Sequence, residues 1–203
     1  LVTGELVRGL PILKFSNDTL CPACECGKQF KASHPTLIDS SISEPLELLH
    51  IDLCGPSTIA SLHHKKYILV IVDDFTRFTW VFFLRLKSET PQVLINFIKE
   101  IELQIKLPVR RIHSDNGTEF TNHLLNSFLV SKGITHNFLA PYTPQQNGVV
   151  QRRNCTLVEA ARSMLNFAHL PLYFWMEAVA TTYFVQNRGI VCKRLNKTPY
   201  EGL

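Results

Sequence analysis

Short β-rich runs crowd the middle of this chain, and beyond them strand-like and helix-like patterns alternate. Residues 66–73 and 78–84 are β-branched and aromatic runs separated by a few residues around Asp73-Asp74. Two such runs so close together predict an antiparallel pair, with residues 46–53 as a strand before them. Thr90-Pro91 then opens a helix that places Val93, Leu94, Phe97, Ile98, Ile101 and Ile105 on one face. A short strand at 109–113 runs into Ser114-Asp115-Asn116-Gly117, a turn signature. A helix at 122–131 stops at Gly133, and a strand follows at 134–139. Residues 140–148 read as a loop, and a long helix is expected from 149 to about 168, with Leu157, Ala161, Met164, Leu165 and Ala168 inward. After Pro171 a last helix carries Phe174, Trp175, Ala178, Val179, Phe184 and Val185. This order predicts an α/β protein built on one mixed sheet covered by helices.

The chain's 203 residues, 45% apolar and 19% charged, suffice for one ordinary domain with extensions. The longest apolar run, 67–72, is far too short to span a membrane, and no membrane partner is expected. Six cysteines, of which Cys21, Cys24 and Cys26 cluster, do not form a secreted disulfide pattern, so reduced thiols inside a cell are expected. The net charge of +4 lies in the last third, where Arg152, Arg153 and Arg162 stand close together. A basic stripe of this kind points weakly to a phosphate-rich partner; charge alone favours a solvated helix face. Residues 1–43 are turn-rich and end in a serine linker. The patterned domain occupies 44–203.

Metal-dependent phosphoryl transfer needs acids clustered at strand ends, where two carboxylates can bridge a divalent ion. Asp52 ends the first strand in His50-Ile51-Asp52-Leu53-Cys54-Gly55-Pro56. Asp115 ends the fourth in His113-Ser114-Asp115-Asn116-Gly117-Thr118-Glu119-Phe120. Asp73 and Asp74 precede Phe75-Thr76-Arg77 and read as hairpin and loop acids rather than ligands. His50 and His113 each sit two residues before one of the strand-end acids, on the same sheet face, and read as packing.

These stretches, together with Pro141-Tyr142-Thr143-Pro144-Gln145-Gln146-Asn147-Gly148-Val149, occur in order within residues 46–190. In them the chain resembles the integrase core of copia-type LTR retrotransposons, which is related to retroviral integrases. The resemblance implies a ribonuclease H-like fold: a mixed five-stranded sheet with helices on both faces. It implies a D-D-E site holding Mg2+ or Mn2+. It implies trimming of DNA 3′ ends followed by strand transfer into double-stranded target DNA. It further implies a homo-oligomer on DNA and a nuclear location. By the same resemblance Tyr142, Gln145, Gln146 and Asn147 would lie against the DNA end. Arg152 and Arg153 would reach phosphates, which position DNA without reading its sequence.

One position departs from the pattern. The family places its Glu thirty-five residues after the second Asp, and counting 116 through 150 leads to Gln151. An amide oxygen is a poor ligand for a hard divalent ion. Metal binding is therefore expected to be weakened, with catalysis lost or nearly so. Glu159 and Glu119 are not expected to fill the gap, Glu159 lying about 12 Å further along the helix. Cys155 stands where the family typically carries Arg, one turn after Gln151. The alternative reading is a decayed or domesticated, non-catalytic nucleic-acid- or protein-binding module. Upstream, Cys21-Pro22-Ala23-Cys24 resembles half of the family's HHCC zinc module. A structural site needs four ligands, so residues 1–43 read as a truncated pre-integrase segment in which Zn2+ is not expected.

Overall fold

The structure is a computed structural model that describes residues 42–138 and 144–203, with side chains from Val150 onward in the second stretch. The cysteine pair Cys21 and Cys24 lies outside the described residues, as does Tyr142.

Strand β1 (Leu48–Cys54) pairs antiparallel with β2 (Tyr67–Asp73), and β2 with β3 (Thr79–Leu84), so the first run of strands is a meander. Strands β4 (Arg111–Ser114) and β5 (Thr135–Phe138) add in parallel on the other side of β1. The sheet order is β3-β2-β1-β4-β5. A parallel neighbour needs a crossover, and helices α1 (Thr90–Ile105) and α2 (His123–Lys132) supply it. Helices α3 (Pro144–Phe167), α4 (Trp175–Gly189) and the single turn α5 (Pro199–Gly202) follow. The mixed five-stranded sheet with helices on both faces is as expected.

Period two divides β1 and β2 between two cores. Leu49, Ile51, Leu69 and Ile71 face Leu94, Phe97, Ile98 and Ile101 of α1 and Leu125 and Leu129 of α2. On the other face Ile68, Val70 and Val72 pack on Val150, Leu157, Ala161 and Leu165 of α3 and on Ala178 and Val179 of α4. Each fully buried Leu or Ile contributes roughly 1.5–3 kcal/mol. His50, Asp52 and Cys54 stand opposite Val72, Val70 and Ile68, so they share the α3–α4 face. Gly55 lets the chain leave β1: its φ is 126°, and a Cβ there would meet the Lys66 carbonyl oxygen at 2.7 Å.

Several boundaries differ from the sequence reading, each for a local reason. β4 starts at Arg111 because Val109 N donates to the Glu102 carboxylate at 3.0 Å instead of to a strand. β5 starts at Thr135 because Ile134 N closes the end of α2 on the Leu129 carbonyl at 2.9 Å, after Gly133 turns left-handed. The long helix begins at Pro144 rather than 149; proline is preorganised for a first helical turn. Phe184 and Val185 are not core residues: they are 52% and 54% exposed, because α4 turns Ala178, Val179, Thr182 and Gln186 inward. Met164 on α3 and Ala168 just past its end are likewise exposed.

Candidate active site

The register of β1 and β4 places the two strand-end acids side by side. Leu48 pairs with Arg111 in parallel, and four residues further along each strand stand Asp52 and Asp115. Burial raises the pKa of Asp52 above the ordinary carboxylate range, and the Asp115 charge raises it further. Hydrogen bonds from Asn154, Cys54 and the Leu53 backbone offset part of that rise. Asp115 is exposed, and its Oδ1 accepts from Gly117 N at 3.2 Å.

Helix α3 closes the third side. Asn154 Nδ2 donates to Asp52 Oδ2, and Cys54 Sγ lies 3.7 Å from the same oxygen. Both contacts fall on Oδ2, so Asp52 Oδ1 accepts from no described side chain. Gln151, exposed, stands one turn before Asn154 on the same side of the helix. This turn of α3 therefore does reach Asp52, and the side chain that touches the carboxylate is an amide, Asn154. Asn154 Oδ1 is buried without a partner. The sequence reading passed over Asn154; its spacing of three from position 151 was the available signal.

The other acids are engaged elsewhere. Asp73 accepts from Leu46 N at 2.9 Å, Thr76 N at 2.8 Å and Thr76 Oγ1 at 2.6 Å. Asp74 Oδ1 lies 3.0 Å from His50 Nε2 and 3.0 Å from the Arg77 guanidinium. Burial alone would raise the Asp74 pKa, but His50 and Arg77 hold it below the usual carboxylate value. Both are structural acids, as read. Glu119 turns toward Lys87 at 3.6 Å. Among the described residues no group of three or more His, Cys, Asp or Glu side chains is placed to hold a metal ion.

The histidines pack. His50 meets His113 edge-on at 5.4 Å, and His113 lies 3.2 Å from the Asn137 amide. One histidine absent from the sequence reading supports the site from behind. His136 Nε2 lies 2.8 Å from Ser114 Oγ, which donates to the Asp115 carbonyl at 2.8 Å. Burial, then the charge of His113, pushes the His136 pKa down to about 4.

The basic pair at the start of the helix is split. Arg152 is exposed. Arg153 is turned inward: its guanidinium donates to Gln186 Oε1 at 2.9 Å and to the Arg77 carbonyl at 3.2 Å. Burial lowers the Arg153 pKa to about 10. The expectation that Arg153 reaches phosphates is corrected, because both ends of its fork are spent on α4 and the β2–β3 turn. The backbone of Gln145, Gln146 and Asn147 forms the first turns of α3, and their side chains lie outside the described residues. Among the described residues no helix is long and apolar enough to cross a membrane.

Comparison with known proteins supplies the family. The model of the integrase core domain matches residues 43–144. The chain is 39% identical over 169 residues to the retrovirus-related Pol polyprotein from transposon TNT 1-94 of Nicotiana tabacum, covering 83% of this chain and 13% of that protein. It is 32% identical over 182 residues to the corresponding polyprotein from transposon RE2 of Arabidopsis thaliana, covering 89% of this chain and 12% of that protein. The chain thus spans about an eighth of these curated relatives. Among solved structures it is similar to the HTLV-2 integrase catalytic core domain in complex with magnesium. There the TM-score is 0.58 at 21% identity, covering 78% of this chain and 97% of that one. It is also similar to a chain of the simian T-cell lymphotropic virus intasome in complex with PP2A regulatory subunit B56 gamma. That match has a TM-score of 0.63 at 20% identity, covering 90% of this chain and 62% of that one. At these identities the likeness shows the ribonuclease H-like fold. The chain belongs to the integrase core domain family, on its retrotransposon side.

Proposed function

We propose that this chain is the catalytic core of a retrotransposon integrase whose reaction centre has lost most of its activity. The substrate class is double-stranded DNA, at the ends of the element and at a target. The ancestral reactions are 3′-end trimming and strand transfer. The observation that carries the reading is the Asp52–Asp115 pair, two carboxylates brought together at the ends of parallel strands, where burial and then the Asp115 charge raise the Asp52 pKa. Such a pair is unfavourable by itself and suited to a divalent cation. Asp52 and Asp115 would hold Mg2+ or Mn2+, which when bound supplies charge neutralisation for phosphoryl transfer. Two carboxylates with water fit one such ion; the donor set for a second lacks its acid.

The chain's own residues set the limits of the chemistry. Asn154 orients Asp52 by donating to Oδ2. Gln151 keeps the volume of the missing Glu but brings no negative charge, so it neither attracts a cation nor accepts a proton from an attacking water. Arg152, exposed beside this turn, is positioned for a DNA phosphate. Magnesium is bound by the HTLV-2 relative, and relatives form dimers, trimers and intasomes; assembly on DNA is proposed here on that basis. Residues 44–203 would be the core and 1–43 part of a pre-integrase segment, and the nucleus the place of action. The test is Mn2+-dependent trimming of a matching DNA end by the unaltered chain and by Gln151→Glu. Little trimming by the first and clear trimming by the second is expected. Robust trimming by the unaltered chain would refute the impairment. A second reading, a DNA-binding module without chemistry, is favoured by the amide of Asn154 on Asp52 and by the uncharged Gln151 one turn before it, and is met if Gln151→Glu binds DNA but never trims it.

A further inference from the structure

Beside Asp52 opens a slot that the carboxylate chemistry leaves unused. Its volume is about 390 Å3, within the range of small-ligand sites, and it lies between the β1–β2 connection, α3 and α4. Its near end is Cys54, whose Sγ lies 3.7 Å from Asp52 Oδ2. Along α3 the lining includes Val158 and Arg162, which continue, at intervals of four, the helix side that carries Asn154. The far wall is apolar, with Ile59, Leu172 and Trp175. Trp175 Nε1 donates to the Ile59 carbonyl at 3.0 Å and so ties the β1–β2 connection to α4 across the slot. Two cations, Lys66 and Arg162, belong to the lining, which contains no acid, and neither is ion-paired among the described residues.

We infer that this slot receives an unpaired nucleobase from the end of the DNA strand that lies at Asp52, with Lys66 and Arg162 on its flanking phosphates. The inference rests on the DNA reading above and adds a subsite to it. A nucleobase has flat, uncharged faces for the Ile59–Leu172–Trp175 wall, and its backbone brings anions to the two cations. An apolar peptide would satisfy the wall and leave both cations unanswered. The slot also begins at the reaction centre, where a strand end must pass.

The experiment compares the full chain's affinity for a labelled blunt duplex with that for the same duplex carrying a short single-stranded overhang. The overhang should bind roughly tenfold tighter, the scale of one base packed against a protein wall. Leu172→Trp and Ala161→Leu both fill the slot, the first from an exposed position that leaves folding intact. Both should erase the overhang's advantage and leave blunt-duplex affinity unchanged. Equal binding of the two duplexes, or an advantage that survives both substitutions, would overturn the subsite while leaving the DNA reading in place. If neither duplex binds, the DNA reading itself fails and the subsite with it.

Discussion

Two pairs of aspartates lie within a few residues of β1, and the protein treats them in opposite ways. Asp73 and Asp74 are adjacent in sequence and buried, and each is held by neighbouring donors. Asp73 takes three hydrogen bonds from Leu46 and Thr76, and Asp74 takes His50 and Arg77. Asp52 and Asp115 are sixty-three positions apart, brought together by the β1–β4 register, and among the described residues no ion pair to either is recorded. The first pair builds the β2–β3 turn and anchors the entry to β1. In the second, burial and then the Asp115 charge raise the Asp52 pKa. Acidic pairs thus declare their use by their partners, and mutation should separate the two cases in sign as well as size.

The largest effect is expected at the structural pair. Asp73→Ala strands two buried backbone donors, Leu46 N and Thr76 N, and should destabilise the fold by about 3 kcal/mol in urea unfolding. Arg153→Ala comes next. It removes two donors from Gln186 and the Arg77 carbonyl and should cost about 2 kcal/mol, whereas Arg152→Ala should leave unfolding unchanged and reduce only the salt dependence of DNA binding. A stable Arg153→Ala would place that side chain with its neighbour instead of with the frame.

At the reaction centre the sign reverses. Asp52→Asn removes the repelling charge and keeps a hydrogen-bonding oxygen, so it should stabilise the chain by about 1 kcal/mol. The pH dependence follows. Because the Asp52 pKa is raised in the fold, its contribution is most favourable below the unfolded value and is lost as pH rises through the folded one. The advantage of Asp52→Asn should therefore be full at neutral pH and shrink in acid. His136 behaves oppositely. Its pKa falls from 6.5 to about 4 in the fold, so its support of Ser114 is present above pH 6.5 and lost as pH falls toward 4. His136→Gln should flatten that part of the acid unfolding curve, the smallest change in the series.

How much of this was legible in the residues differs between frame and site. Strands and helices were placed by apolar period, because Leu49 and Ile51, or Leu94, Ile98 and Ile101, can only be buried in one arrangement. Their ends were less legible: Val109 and Ile134 look like strand residues, and only the tertiary partners Glu102 and Leu129 take their N–H groups away. Asp52 and Asp115 are legible as strand-end acids, and Gln151 only through the spacing that the family resemblance implies. Asn154 is not, since its spacing of three from position 151 gains meaning only once the Asp52 carboxylate is seen beside it. Arg152 and Arg153 are indistinguishable in sequence; one helix step of 100° sends one to solvent and the other under α4. Whether the fold spends a charge on itself depends on packing, which pattern alone does not contain.

The account turns on Asp52 and Asp115 holding a divalent cation that the amide at 151 cannot help to hold. Calorimetric titration of Mn2+ into the unaltered chain, Asp115→Asn and Gln151→Glu tests this most directly. Weak binding to the first, none to the second and binding at least tenfold tighter to the third is the predicted result. Equal affinity in the unaltered chain and Gln151→Glu, or binding that survives Asp115→Asn, would contradict it.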